Sequence, residues 1–279
     1  MHNLTSFKLF AKKTIINLDK KDDVIHLEPI SDIHIGHAGF DEDFYKKRIN
    51  AICKDKNRYT FFGGDCLDAI TTFDKRFNPD ISLEHDIDNQ RQRWQDLSQK
   101  LFDIHKDQIN KKDGNEKVWG FYQGNHDYKI PQISRSYLQN TMCNPNKLVF
   151  MGSRGVIGLE IKYNKKILAQ WSILFIHGSG GGKPERMMEQ MKHNAYYDIF
   201  LCGHLHQKRY QSEIAYDFDW NTGKTWERDI HLGNTGTFCK TLVDDSDGYM
   251  DRKNEIIGSR LGTLTLSFNA EKGVVHGHV

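Results

Sequence analysis

Short apolar or β-branched runs recur along the chain at 24–31 ("VIHLEPIS"), 59–63 ("YTFFG"), 118–123 ("VWGFYQ"), 166–176 ("KILAQWSILFI") and 198–202 ("DIFLC"). Each has the length of a buried strand. Between them apolar residues fall at helical spacing over 41–55 ("DEDFYKKRINAICKD") and over 84–112, with Ile87, Trp94, Leu97, Leu101, Ile104 and Ile109. A third such segment is 184–195 ("PERMMEQMKHNA"), where Pro184 suits a first helical turn. Strands alternating with helices predict an α/β arrangement over the first two thirds. From residue 155 onward hairpins take over: one turning at Asn164, one at "NTG" within "DFDWNTGKTWERDIHL", and one in the C-terminal "LGTLTLSFNAEKGVVHGHV". The pattern as a whole predicts an α/β fold, a single domain over 1–279 with two packed mixed β-sheets flanked by helices. The polar stretch 71–90 reads as an inserted loop leading into the long helix, the two together covering about 71–112.

Composition adds bounds rather than a function. Hydrophobic residues make up 38% and charged residues 27% of 279, with only 5 Pro and no Pro/Gly/Ser-rich linker, as in a globular protein. A formal net charge of +2 is too near balance to indicate nucleic acid or an anionic membrane, so any charged partner has to be met locally. The N-terminal segment has no long apolar core and no small-residue cleavage site, and no later run approaches a membrane span, so a cytoplasmic protein with no membrane partner is expected. Cys53, Cys66, Cys143, Cys202 and Cys239 are scattered without a CxxC pair and read as free thiols. Histidine is the unusual component, with 14 in the chain, several of them in short clusters beside Gly, Asp or Asn.

Those clusters fall at strand ends. "SDIHIGH" follows the first run, "GGDCLD" the second, "QGNHD" the third, "HGSGGG" the fourth and "GHLH" the fifth. Ligands of open α/β sheets bind outside the carboxyl ends of the strands, where Asp32, His34, Asp65, Asn125, His126, Asp127, His177, His204 and His206 would gather. Singly each has a bland explanation: a helix cap for Asp32, a tight turn for "GGD" or "GNHD", a satisfied core imidazole for His177. Jointly they would leave buried donors and acceptors unmet at a cost of ~1–3 kcal/mol apiece, which a metal centre removes. In D-x-H and H-x-H the two side chains share a face of an extended segment, which predicts that each pair converges. Carboxylate, imidazole and amide oxygen without thiolate suit divalent Mn, Fe or Zn. The donors are too many for one ion and suit two, about 3.5–4 Å apart.

The ordered set "DIH", "GGDCLD", "GNHD", "HG" and "GHLH", spread over 32–206, resembles the five motifs of the calcineurin-like metallophosphoesterases. The resemblance implies a double-sheet sandwich with a dinuclear centre holding two divalent metal ions, Mn foremost, with Fe, Zn, Ni or Mg as alternatives. It implies Asp32, His34 and His206 on one metal, Asn125, His177 and His204 on the other, and Asp65 bridging both. His126 is then the non-ligand histidine that acts as general acid or stabilises charge on the phosphoryl group, with Asp127 orienting its ring. The implied reaction is phosphoester hydrolysis by a metal-bridging hydroxide, with the proton supplied by the His126 imidazole.

Other motif readings fail. "GSGGGKP" lacks the first Gly and the Ser/Thr of a P-loop, and His177 stands where a nucleophile elbow around Ser179 needs Gly. The Gly-rich loop instead suggests close backbone approach to a substrate phosphate, with Lys183 and Arg186 as anion contacts. Arg76, in the insertion, is a further candidate substrate contact. Arg91, Arg93, Lys111 and Lys112 are candidates for lining a nucleic-acid groove. "GGDCLDAI" lacks the Arg that follows the second Asp in Ser/Thr phosphoprotein phosphatases, and GNHD replaces their GNHE, which argues against that activity. The set is more similar to the DNA-repair nuclease and cyclic-nucleotide phosphodiesterase branches. A phosphodiesterase is therefore expected, with nucleic acid or a nucleotide among the candidate substrates. A phosphomonoesterase acting on a small metabolite is the alternative. A non-catalytic scaffold ranks below both, since every ligand position and His126 are present. No protein partner is deducible.

Overall fold

A computed structural model describes residues 9–111, 114–131, 137–194, 196–240 and 260–279. Two mixed sheets are stacked in it. The first has the order β1-β5-β6-β7-β9-β8, built from β1 (Phe10–Asn17), β5 (Arg154–Tyr163), β6 (Lys166–Ile176), β7 (Ile199–Cys202), β8 (Arg209–Asp219) and β9 (Lys224–Asn234). The second has the order β13-β12-β2-β3-β4, from β2 (Val24–Leu27), β3 (Arg58–Phe62), β4 (Val118–Phe121), β12 (Thr265–Asn269) and β13 (Val274–His278). A two-strand ribbon, β10 (Gly236–Thr237) with β11 (Gly262–Thr263), completes the strands. The expected α/β class with two sheets and outer helices is what the chain forms.

Side-chain alternation sets the layers, because successive strand residues point to opposite faces. In β3, Phe61 enters the core between the sheets and meets Phe175 of β6 with ring centroids 5.0 Å apart. Its neighbour Phe62 faces outward and packs on Trp94 at 5.2 Å, within the cluster formed under α1 (Glu42–Lys54) and α2 (Ile87–Ile109). In β7, Leu201 joins the central core, whereas Phe200 packs with Met188 and Met191 of α3 (Pro184–Asn194). Helices thus cover the outer face of each sheet. Asp41 and Asp86 cap α1 and α2 through side-chain bonds to Phe44 N and to Asp88 N and Asn89 N, so the long helix begins three residues later than its pattern suggested.

Two strands differ from expectation. The run 24–31 is strand only to Leu27; beyond it Pro29 has no N–H to offer and Ile30 makes a single bridge to Phe62. Strand β1 was not foreseen, because Lys12 and Lys13 interrupt its apolar pattern, yet it pairs with β5 along its whole length. The hairpins fall where expected. Asn164 (φ 50°) and Lys165 (φ 66°) make the two-residue turn of β5–β6, with both central residues left-handed, as a type I′ turn requires. The five cysteines are free, and among the described residues no helix is long and apolar enough to cross a membrane.

The topology brings the site together. Strands β2, β3 and β4 run parallel in one sheet, and β6, β7 and β9 run parallel in the other. The segments leaving β2, β3, β4, β6 and β7 carry the five polar clusters to one end of the sandwich.

Candidate metal centre

The segment after β2 is shaped by the one after β3. Asp32 N donates to Gly64 O at 3.0 Å, while Ile33 N and His34 N both donate to Asp65 O at 2.9 and 3.0 Å. To make these bonds the chain alternates in hand. Asp32 (φ 53°), His34 (φ 54°), Asp65 (φ 49°), His204 (φ 72°) and His206 (φ 56°) all lie in the left-handed region. Such backbone is uncommon for residues with a side chain and gathers at functional sites. The expectation of an extended segment is therefore corrected. Asp32 and His34 do converge, but on a left-handed backbone and not on a strand pleat, and His204 and His206 go to different groups.

Two triads result. Asp32, His34 and His206 bring ligand atoms within 4.8 Å of one another, and Asp65, His177 and His204 do the same. In the first, His206 Nε2 lies 3.3 Å from Asp32 Oδ1 and 3.1 Å from His34 Nε2. In the second, His177 Nε2 lies 3.0 Å from Asp65 Oδ2 and 4.0 Å from Asp32 Oδ1, which makes the two groups neighbours. His177 Nδ1 donates to Gly63 O at 2.7 Å and His204 Nε2 donates to Gly180 O at 2.6 Å, so each ring has one nitrogen committed to backbone and the other left for a ligand. The Gly-rich loop thus orients His204. Asn125 Oδ1 is buried without a hydrogen-bond partner, the condition a cation would relieve.

Charge in the site shows the same need. Burial pulls the His34 imidazole down to about 4 despite Asp68 beside it, leaving the neutral form that can ligate. Burial is the largest influence on Asp32 and Asp65 and opposes their ionisation, yet the surrounding imidazoles together outweigh it, His177 with His206 at Asp32 and His177 with His126 and His34 at Asp65, and hold both carboxyls below their usual range. In return His177, which burial alone would lower, is pushed up to about 10 by Asp65 and Asp32. An imidazolium stands among these carboxylates where a metal cation would neutralise them.

His126 is beside the triads and outside both. Its Nδ1–H donates to Asp68 O, its backbone N donates to Asp65 Oδ1 at 2.8 Å, and its ring centroid lies 4.7 Å from that of His34. Asp127 does not touch this ring. It is fully buried, and its Oδ2 accepts from Asp65 N at 2.7 Å and Gly124 N at 3.0 Å, lacing the third cluster to the second. Burial and the Asp65 charge push Asp127 up to about 6. The residue that orients His126 is Asp68, the second Asp of "GGDCLD", to which no sequence pattern assigns a role. Its Oδ1 is 3.3 Å from His34 Nδ1 and 3.7 Å from His126 Nδ1, and His34, Asp68 and His126 form a third group with metal-ligand spacing. Also missed were Ser31, bonded to Asp32 Oδ2 at 2.6 Å, and Thr237, bonded to Asp32 O at 2.7 Å. No sequence pattern marks these two, since Thr237 lies 205 residues from its partner.

Arg76 is brought to the site. Its Nη1 donates to His126 Nε2 at 3.1 Å, while Asp74 holds the guanidinium through Nε at 3.1 Å and Nη2 at 2.9 Å. Lys129 Nζ reaches the same Asp74 carboxylate at 2.8 Å, pinning the inserted loop to the turn after "GNHD". Lys183 and Arg186 are exposed, with no ion pair from either among the described residues. The groove of basic residues does not form at the triads. Arg93 pairs with Glu42, Arg91 with Asp88 and Lys111 with Asp107, all on the surface of α1 and α2, and Lys112 lies outside the described residues.

No protein-family model matches the chain, and no curated protein matches it. The donor set therefore speaks through its own chemistry. Its imidazoles and carboxylates, with one orphaned amide oxygen, could hold divalent metal ions.

Proposed function

We propose that this protein is a dinuclear metal-dependent phosphoester hydrolase of the calcineurin-like metallophosphoesterase kind, acting by preference on phosphodiesters. The observation that supports it most is the pair of adjacent His/Asp triads with a non-ligand histidine directly beside them. Asp32, His34 and His206 would hold one ion, and Asp65, Asn125, His177 and His204 the other, with Mn as the foremost candidate. When bound, such a pair supplies an acidified water and neutralises phosphate charge.

The chain's own residues do the rest. With Nδ1–H committed to Asp68 O, His126 presents Nε2 as its working atom, the one that carries a proton to the departing ester oxygen. Arg76 donates to that same Nε2, which therefore bears no proton in this arrangement; an incoming phosphoester draws the guanidinium onto a phosphoryl oxygen, and the freed Nε2 takes up a proton from solvent and passes it to the departing oxygen. The inserted Arg76 then does the work of the motif arginine this chain lacks.

Purified protein supplied with Mn is expected to hydrolyse bis-p-nitrophenyl phosphate faster than p-nitrophenyl phosphate. A labelled single-stranded oligonucleotide reports on nucleic acid as substrate. His126→Ala should lower kcat by about 10²–10⁴, the usual contribution of a general acid, with metal content unchanged. Silence on all three substrates with two ions bound per chain would reject hydrolysis. Activity undiminished in the variant would remove His126 from the mechanism.

A further inference from the structure

The hairpin β8–β9 carries a feature that the phosphoester site does not use. Strand β8 is the last strand of its sheet, and among the described residues nothing pairs with its outer edge over eleven residues. Proteins blunt such an edge with short length, proline, bulges or charged side chains. Here there is no proline or bulge, the register with β9 is continuous from Arg209↔Asn234 to Asp219↔Lys224, and the charged residues Arg209, Glu213, Asp217 and Asp219 are confined to one face. One face of the strand is also apolar. Tyr210 packs against the core between the sheets, but further out Ile214, Tyr216 and Phe218 on that same face are 56%, 71% and 48% exposed. Trp220 follows at 89% and meets Phe218 edge-on at 5.0 Å.

We infer that β8 is a dimerisation edge, and that its partner is β8 of a second copy of this chain, paired antiparallel about Ile214. The argument is complementarity. A twofold axis normal to the sheet keeps like faces together, so residues of the same parity must stand opposite one another. The register that overlaps all eleven residues is centred on Ile214. It sets Ile214 against its own copy, Tyr216 against Ser212, and Phe218 against Tyr210 on the apolar face. On the other face it sets Asp219 against Arg209, Asp217 against Gln211, and Glu213 against Ala215. No like charges meet, and at each end Arg209, which within its own chain lies 3.2 Å from Glu185, stands opposite Asp219, which also accepts from Asn221 N and Thr222 Oγ1 in its hairpin turn. Moving the centre by one residue brings Glu213 opposite Glu213 or opposite Asp217, which like-charge repulsion disfavours. The strand thus specifies its own register.

Nucleic acid is a poorer occupant for the exposed rings, because β8 and β9 together carry more carboxylates than cations. The free edge and the centred register both belong to a copy of the same strand.

Sedimentation velocity over a range of micromolar concentrations tests this directly. The wild-type chain should sediment with twice its 32.5 kDa mass. Ile214→Lys, a charge at the centre of the edge, should give a monomer with unchanged circular dichroism. Arg209→Asp, which sets like charges opposite one another at both ends, should weaken the dimer at least tenfold, and adding Asp219→Asn in the same chain, which removes the repulsion but keeps the oxygen that Asn221 N and Thr222 bond, should recover at least part of the loss. A wild-type monomer throughout, a dimer unaffected by Ile214→Lys, or a double variant no tighter than the single one would each overturn the assignment. Hydrolysis of phosphoesters enters none of these readouts.

Discussion

At the scale of single residues, the site is a set of imidazoles and carboxylates whose charges answer one another. His177 shows this most clearly. Burial would lower its pKa, but Asp65 and Asp32 more than reverse that and raise it to about 10, above the ordinary imidazole value of about 6.5. A group raised on folding stabilises the fold fully below its unfolded value and loses that contribution as pH climbs through its folded value. Chelator-treated protein should therefore melt at steadily lower temperature from about pH 7 to about pH 10, and protein loaded with Mn should show a smaller decline, because the ions then balance the carboxylates. Thermal melts at pH 6.5, 8 and 10 with and without EDTA measure it; a chelated protein with a flat profile over this window would contradict the assigned charge state. The donors in these clusters were legible along the chain because Asp, Asn and His beside Gly at a strand end need a reason to be there. Asp127 and Asp68 were not legible in the same way. The family resemblance implied that Asp127 orients the His126 ring, whereas the backbone turn sends the carboxylate toward two N–H groups instead. Asp68 reaches His126 across 58 residues, a distance no local pattern encodes.

At the scale of elements, the ends of β3 and β4 approach so closely that two glycines are required between them. A Cβ on Gly124 would stand 2.0 Å from Asp65 Oδ1 and 2.4 Å from Asp65 N, and one on Gly64, at φ 92°, would stand 2.5 Å from Gly124 N. The glycines of "GGD" and "GNHD" are thus there for the passage of one backbone past another, more than for a turn. Gly124→Ala should cost about 1–3 kcal/mol of stability, the usual scale of overpacking, and should lower metal content by displacing Asp65. Gly181→Ala, where a Cβ meets nothing within 4 Å, is the control and should change neither quantity. Urea unfolding and metal analysis of both variants decide the point, and equal behaviour of the two would refute it. The position of the clusters after strands was legible from the sequence, but their backbone was not. Period-two alternation describes a pleated strand, and these residues leave the strand to bond a neighbouring loop in left-handed conformation.

At the scale of the whole molecule, the two triads lie where one sheet meets the other. Asp32, Asp65 and Asn125 arrive on segments leaving the five-stranded sheet, whereas His177, His204 and His206 arrive from the six-stranded one. Bonds already cross at this point. Asp32 accepts from His204 N through both carboxylate oxygens at 3.1 Å, and Ser31 meets Thr235. The layers themselves were readable from strand and helix periodicity, because burial follows alternation, and the gathering of the five strand ends was expected from the polar clusters that follow them; the order of strands within each sheet was not readable, since it depends on pairings such as β12 with β2 over more than two hundred residues. Ions held by both sets of donors would tie the sheets together, so their binding energy becomes stability of the whole fold and not of one loop. At a hundredfold excess over the dissociation constant, that linkage amounts to about 2.7 kcal/mol per site, or roughly 5 °C for a domain of this size. Removing metal should lower the melting temperature by at least this much. It should also speed hydrogen exchange together in β3–β4 and in β6–β7, while Asp65→Ala should show the fast pattern with or without Mn. Exchange that quickens in one sheet alone would mean that the ions are held by that sheet, and that the donors of the other are spectators. Exchange that quickens in both makes bound ions a structural joint between the sheets, so that the spacing of the two triads depends on how the sheets pack.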